Sequence, residues 1–128
     1  MAQQKTILLA DDHESLLELF KFYLEPSLGS DYKIVTAKDG KIVMEMVEDH
    51  EPDVLILDIM MPHMDGLAVC RELRKDKRHS KMKIVIVSAL DTPDIKAAVK
   101  DLDIDDYFVK SADPMKLVES VKKAIERW

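Results

Sequence analysis

The stretch Val54-Leu55-Ile56-Leu57-Asp58 places four consecutive apolar residues directly before a carboxylate. A second apolar run covers residues 84–87 and ends at Ser88. Strands in a parallel sheet are covered by helices on both faces, so they read as continuous hydrophobic runs rather than alternating ones. These two stretches therefore predict central strands of a parallel sheet in an α/β protein.

Further apolar runs on either side complete a regular pattern. The five predicted strands cover residues 7–10, 34–37, 54–57, 84–87 and 107–109. Between them, apolar residues recur at helical intervals, which indicates five helices that each bury one face. The stripes are Leu16, Leu17, Phe20 and Leu24; Ile42, Val43, Met46 and Val47; Leu67, Cys70 and Leu73; Ile95, Ala98, Val99 and Leu102; and Leu117, Val121, Ala124, Ile125 and Trp128. The order is therefore (βα)5.

Two proline-containing pairs predict where the last two helices begin. Thr92-Pro93 and Asp113-Pro114 each put a capping side chain before a proline at the first helical position. We find no repeat, low-complexity tract or flexible linker, so residues 1–128 are predicted to form a single domain.

Composition excludes several classes of protein. The chain has 128 residues, 47% hydrophobic and 34% charged, which argues against disorder. Its net charge of -6 gives no general attraction to nucleic acid or to an anionic membrane, so neither is an expected partner. A single cysteine excludes an internal disulfide, and the short apolar run at 7–10 cannot form a signal peptide or membrane helix. We therefore expect a cytoplasmic protein.

Polar residues stand where the predicted strands end. Asp11 and Asp12 follow the first strand, Asp58 ends the third, Ser88 ends the fourth and Lys110 ends the fifth. Ligands of open parallel sheets bind beyond the carboxyl ends of the strands, so these side chains are expected to share one pocket.

Three converging carboxylates would repel one another, and a hard divalent cation with oxygen ligands relieves that repulsion. Mg²⁺ is the first candidate. A carboxylate beside a cation and an ammonium is also a plausible nucleophile for phosphoryl transfer. Asp58 fits that role, while the Ser88 hydroxyl and the Lys110 ammonium could each bind a phosphoryl oxygen.

The same residues resemble a known family. The pair Asp11-Asp12, the stretch from Leu55 through Asp58 to Gly66, the sequence Val-Ser88-Ala89 and the sequence Asp106-Tyr-Phe-Val-Lys110 are similar to the receiver domain of two-component response regulators. The resemblance extends over nearly the whole chain. It implies a doubly wound, flavodoxin-like sheet in strand order 2-1-3-4-5 with helices on both faces.

By this resemblance, Asp58 accepts a phosphoryl group from a histidine kinase or phosphotransfer protein. Mg²⁺ would be held by Asp12, Asp58 and the backbone carbonyl of Met60, with Asp11 acting through water. The resemblance also implies a switch, in which Ser88 moves toward the phosphoryl group and Tyr107 turns inward. The surface formed by the fourth helix, fifth strand and fifth helix (α4-β5-α5) would then meet a downstream protein target or output domain.

Two positions depart from the family pattern. Ser111 follows Lys110, where the family usually has a proline after a cis bond, and a cis bond before a non-proline residue costs about 2.5–4 kcal/mol. The energetics favour a trans bond and leave the placement of Lys110 open. Asp103-Ile104 replaces a small Gly-Ala pair, which leaves the packing of that loop open as well.

Three functional classes are compatible with an acidic pocket of this kind. The preferred one is the phosphorylation switch, which would catalyse only its own phosphorylation and dephosphorylation and is not an enzyme in the substrate-turnover sense. The alternative is a degenerate receiver that binds partners without phosphorylation. A phosphohydrolase of the haloacid dehalogenase type would need a second aspartate two residues after the nucleophile, where this chain has Met60.

The remaining chemistry-bearing side chains receive structural interpretations. The four histidines, His13, His50, His63 and His79, have no ligand spacing and are predicted to lie at the surface. Asp65 and Gly66 are predicted to cap the third helix, and Met60 and Met61 are hypothesised to shield the acceptor from water. The sequence leaves open whether the domain acts alone or within a longer protein.

Overall fold

The computed structural model describes residues 4–89, 92–110 and 113–126. These three segments contain five strands and five helices in strict alternation. The strands are β1 (Lys5–Ala10), β2 (Tyr32–Ala37), β3 (Val54–Asp58), β4 (Lys83–Ser88) and β5 (Asp106–Val109). The helices are α1 (Glu14–Leu28), α2 (Gly40–His50), α3 (Gly66–Lys75), α4 (Pro93–Lys100) and α5 (Pro114–Glu126). Two short 3-10 turns, Gly29–Asp31 and Lys77–His79, precede β2 and β4.

All five strands form one parallel sheet in the order β2-β1-β3-β4-β5. This confirms the predicted (βα)5 architecture and the 2-1-3-4-5 order. Asp58 pairs with Val87 on β4, and Ser88 pairs with Val109 on β5. The carboxyl ends of the three neighbouring strands are therefore level with one another.

The central strand β3 is buried on both faces, as its apolar sequence predicts. Val54 and Ile56 pack into a cluster built mainly from α1 and α5, whereas Leu55 and Leu57 pack into a cluster built mainly from α2 and α3. Full burial of one such side chain contributes about 1.5–3 kcal/mol. The two layers hold β3 in place, and with it the position of Asp58.

The helices begin where capping side chains predict. Thr92 Oγ1 accepts a hydrogen bond from the Ile95 backbone N–H at 3.3 Å, so α4 starts at Pro93. Asp113 Oδ1 accepts one from the Met115 N–H at 2.9 Å, at the start of α5. The end of α4 differs from the predicted stripe: the helix stops at Lys100, and buried Leu102 follows it in a turn before Asp103, whose φ is +52°.

The predicted surface position is wrong for one histidine. His79 is only 8% exposed, because it belongs to the 3-10 turn that leads into β4 and its ring lies beside Glu48 on α2. His13, His50 and His63 are exposed, as predicted. No helix in the three described segments has the length and apolar character needed to cross a membrane.

Candidate functional site

Strand ends bring the predicted acidic residues together. Asp11 follows β1 and Asp58 closes β3; both are 1% exposed, and Ser88 at the end of β4 is fully buried. Lys110 follows β5, and its backbone N–H donates to the Ser88 carbonyl at 2.8 Å. The parallel register therefore places the hydroxyl, the ammonium and two carboxylates at one end of the sheet.

The Lys110 side chain connects the two buried carboxylates. Its Nζ lies 2.9 Å from Asp11 Oδ2 and 3.1 Å from Asp58 Oδ2, and the side chain is 11% exposed. The prediction that Lys110 belongs to the pocket thus agrees with the geometry, although Ser111 lies outside the described residues and so does the Lys110–Ser111 bond. Two negative charges share one positive charge, which leaves the centre with an excess of negative charge.

This excess affects the ionisation of Asp58. Burial and the neighbouring charge of Asp11 raise the pKa of Asp58, and hydrogen bonds from Lys110 and from the Met60 N–H only partly oppose the shift. Burial opposes the charge of Lys110, but its contacts with Asp11 and Asp58 outweigh that cost and raise the pKa of Lys110. The ammonium therefore stays charged while the Asp58 carboxylate is costly to ionise.

We expect Asp58→Asn to raise the thermal midpoint of unfolding at pH 7 in metal-free buffer. Because the folded-state pKa of Asp58 lies above its unfolded value of 3.8, its ionised form destabilises the fold at neutral pH. The parent should gain stability as the pH falls through that raised pKa, and the gap between the proteins should close below about pH 3.8. Calorimetry from pH 7 to pH 3 measures both effects.

Asp65→Asn provides the matched control, since Asp65 is an exposed carboxylate in the same cavity and asparagine also caps helices well. It should leave the midpoint nearly unchanged at both ends of the pH range. An Asp58→Asn protein less stable than the parent at pH 7 would contradict the assignment.

The acidic cluster has the composition of a divalent cation site. Asp11, Asp12, His13 and Asp58 each offer a ligand atom, and these atoms all lie within 4.8 Å of one another. Buried Asp11 Oδ2 has the Lys110 ammonium as its charge partner. An oxygen-rich site with surplus negative charge fits a hard cation such as Mg²⁺. The Met60 carbonyl as a ligand stays a prediction.

His13, which is exposed as predicted, contacts this cluster directly. Its Nδ1 lies 3.1 Å from Asp11 Oδ1 and 3.1 Å from Asp12 Oδ1, and its backbone N–H donates to Asp11 Oδ1 at 2.9 Å. The signal in the sequence was its position directly after the acidic pair, just before α1. His13 orients both carboxylates and belongs to the site.

A cavity of about 600 Å³ opens in front of Asp58. Its lining includes the polar residues Asp12, Asp58 and Lys110 and the apolar residues Met60, Met61 and Leu67. Met61 is buried, whereas Met60 is 59% exposed, so shielding of the acceptor by both methionines stays a hypothesis. The cavity has room for a phosphoryl group and for part of its donor.

Gly66 has a role beyond helix capping. Its N–H donates to the Ile59 carbonyl at 2.8 Å, and a Cβ at this position would lie 2.2 Å from the Asp58 carbonyl oxygen. Asp65 caps α3, as predicted, through a 2.9 Å hydrogen bond from the Ala68 N–H. The glycine allows the start of α3 to pack directly against the backbone of Asp58.

The two predicted switch residues lie on adjacent strands. Ser88 is buried at the end of β4, and Tyr107 is half-buried on β5, where it packs against the α2–α3 core cluster. The loop before β5 is held by Arg74 of α3, whose Nε donates to the Asp103 carbonyl at 3.0 Å. This contact lies at the end of the sheet away from Asp58.

Residues 7–122 match the family model described as the response regulator receiver domain. The alkaline phosphatase synthesis transcriptional regulatory protein PhoP of Bacillus subtilis is 35% identical over 123 residues, which are 96% of this chain and 49% of that protein. The chain spans about half the length of the curated relatives it matches.

Two solved structures have the same fold. A LuxR-family DNA-binding response regulator from Staphylococcus aureus is 30% identical, with a TM-score of 0.84 over 94% of this chain and 98% of that one. A response regulator from Chloroflexus aurantiacus is 26% identical, with a TM-score of 0.86 over 97% of this chain and 99% of that one.

Proposed function

Since this chain belongs to the response regulator receiver domain family of two-component signalling, we propose that Asp58 accepts a phosphoryl group from a histidine kinase or phosphotransfer protein. The observation that carries the proposal is the Asp58 carboxylate itself, which is 1% exposed, lies 3.1 Å from the Lys110 ammonium and faces an open cavity. Its burial keeps water from solvating the nucleophile, and its partners are the groups that phosphoryl transfer requires.

In the proposed reaction, an Asp58 oxygen forms a bond to phosphorus as the bond from phosphorus to the donor imidazole nitrogen breaks. The Lys110 ammonium pairs with one phosphoryl oxygen and the Ser88 hydroxyl donates to another. Asp12, Asp58 and the Met60 carbonyl would hold Mg²⁺, with Asp11 acting through water, and the bound ion would supply positive charge against the remaining oxygen. Lys110 also stabilises the carboxylate before transfer.

The proposed output is a change of the α4-β5-α5 surface. Ser88 moves toward the new phosphoryl group, and Tyr107 turns inward on the neighbouring strand. Support comes from the 2.8 Å hydrogen bond between the Lys110 N–H and the Ser88 carbonyl, which ties the end of β5 to the end of β4. A downstream target protein or an attached output domain would read this surface.

The proposal includes three further statements about this chain. It catalyses only its own phosphorylation and dephosphorylation, it works in the cytoplasm, and it contacts neither nucleic acid nor membrane directly. PhoP of Bacillus subtilis, named as a transcriptional regulator, is about twice as long as the region that matches this chain. If this chain is part of a longer regulator, any DNA binding would therefore belong to a domain outside residues 1–128.

Intact-mass measurement after incubation with Mg²⁺ and acetyl phosphate tests the proposal. The parent should gain the mass of one phosphoryl group, and Asp58→Asn or removal of Mg²⁺ should abolish the gain. Asp65→Asn is the matched control, because it removes a carboxylate from the same cavity without removing the acceptor.

A folded parent that never gains the phosphoryl mass would instead favour the degenerate receiver, a binding module independent of phosphorylation. Turnover of small phosphate esters by the parent would favour a phosphohydrolase. Unchanged labelling of Asp58→Asn would assign the acceptor to another residue.

A further inference from the structure

A second polar cluster lies at the opposite end of the sheet from Asp58. Glu48 comes from the last part of α2, and Asp76, Arg78 and His79 come from the cap and 3-10 turn before β4. One carboxylate oxygen of Glu48, one of Asp76 and a ring nitrogen of His79 all lie within 4.8 Å of one another. None of these residues takes part in the proposed phosphoryl transfer.

His79 supplies an independent observation that points to a ligand. Its side chain is 8% exposed, and its Nε2 is buried without a hydrogen-bond partner. That atom points into the cluster, 3.5 Å from Glu48 Oε1 and 3.8 Å from Asp76 Oδ2. A buried polar atom left without a hydrogen bond costs about 1–3 kcal/mol, so a ligand at this point would remove a real cost.

Two of the separations between these ligand atoms are close to those of a tetrahedral metal site. Zinc binds histidine nitrogen at about 2.0–2.1 Å and carboxylate oxygen at about 2.0–2.2 Å, so adjacent ligand atoms in a tetrahedron lie roughly 3.3–3.5 Å apart. The nitrogen-to-oxygen separations of 3.5 and 3.8 Å need only small side-chain adjustments to reach that spacing. One imidazole and two carboxylates would leave a fourth position for water.

Arg78 already places a positive charge at this point. Its Nη2 lies 2.9 Å from Glu48 Oε1 and 2.6 Å from Asp76 Oδ2, the same two oxygens that face His79. Hydrogen bonds from Arg78 lower the pKa of Asp76 to about 2. Arg78 donates its hydrogen bonds to the Glu48 and Asp76 carboxylates, and the buried Nε2 of His79 receives none of them.

We propose that Glu48, Asp76 and His79 form a binding site for a divalent transition metal of the zinc type, with Arg78 as an exchangeable internal cation. Imidazole nitrogen favours zinc and similar metals over Mg²⁺. The Arg78 side chain is 65% exposed, so it can leave for solvent. A bound metal would tie α2 to the turn before β4.

Cobalt titration tests the site, because tetrahedral Co²⁺ absorbs visible light when bound by protein ligands. The Asp12→Asn/His13→Ala double variant is the background, since it removes two potential ligands of the other cluster. We expect saturable absorption that Zn²⁺ displaces and Mg²⁺ does not. Arg78→Gln should tighten binding about tenfold, because it removes a competing unit charge a few ångströms from the metal.

His79→Gln and Glu48→Gln, each added to the same background, should abolish the saturable absorption. Glu48 is half-exposed, so its variant keeps the test valid if His79→Gln fails to fold. His50→Ala is the matched control, an exposed histidine on the same helix that should change nothing. Absence of saturable binding in both the background and Arg78→Gln, or binding unaffected by His79→Gln and Glu48→Gln, would overturn the proposal.

Discussion

Gly66→Ala is expected to destabilise the domain and to slow phosphorylation of Asp58 at the same time. The added Cβ would lie 2.2 Å from the Asp58 carbonyl oxygen and 2.8 Å from the Ile59 Cα, and backbone atoms cannot rotate away from it. Overpacking of this kind costs about 1–3 kcal/mol. A displacement of roughly 1 Å at a reacting group can lower a rate about 100-fold.

Urea denaturation and the rate of mass gain with acetyl phosphate measure these two effects. Alanine favours helices over glycine by about 1 kcal/mol, so helix propensity alone would make Gly66→Ala stabilising. A loss of stability in Gly66→Ala would therefore indicate the steric clash, whereas a gain would indicate helix propensity. Ala68→Gly, two residues further along α3, controls for propensity: it should lose about 1 kcal/mol and keep the parental phosphorylation rate.

Arg74→Met is expected to lower the free energy of unfolding by about 2 kcal/mol. The Arg74 guanidinium donates to the Asp103 carbonyl at 3.0 Å, to the Met82 carbonyl at 2.9 Å and to two further carbonyls in the turn before β4. Methionine keeps much of the apolar stem but satisfies none of these acceptors. The expected loss of unfolding free energy is smaller than the sum of the four hydrogen-bond energies, because solvent can donate hydrogen bonds to some of these carbonyls when Arg74 is absent.

Arg71→Met on the same helix is the matched control, since Arg71 is exposed and its replacement should change stability by less than about 0.5 kcal/mol. Because Arg74 lies at the end of α3 away from Asp58, acetyl phosphate should still label Arg74→Met. Equal denaturation midpoints for Arg74→Met and Arg71→Met would show that the carbonyl contacts contribute nothing.

The apolar pattern was sufficient to predict a parallel sheet and the alternation of strands and helices along the chain, because the hydrophobic runs are continuous and both faces of β3 are buried. The order of the strands within the sheet came from the family resemblance. The strand starts were less accurate. β1 begins at Lys5 and β2 at Tyr32, each two residues before its apolar run, because Lys5 pairs with Tyr32 through the backbone. Backbone hydrogen bonding continues where side chains no longer need burial.

The pocket residues were predictable because a parallel sheet collects strand ends on one edge. Polar contacts between distant elements were not. Glu48 and Arg78 are 30 residues apart in the sequence, and Arg74 and Asp103 are 29 apart, so no local sequence pattern predicts either contact. His79 is buried beside Glu48, which is distant from it in the sequence, and for this reason the surface prediction for His79 was wrong. The reason for glycine at 66 depends on a backbone approach that local sequence does not encode.

Strand β5 occupies one edge of the sheet, and no strand in the described part of the chain lies beside its outer backbone groups. Exposed edges are templates for intermolecular pairing and hence for aggregation. Here the strand has four residues, and three aspartates, at 103, 105 and 106, crowd its start. An incoming strand would therefore find few backbone groups with which to form hydrogen bonds. Copies of this domain are thereby discouraged from pairing through the β5 edge.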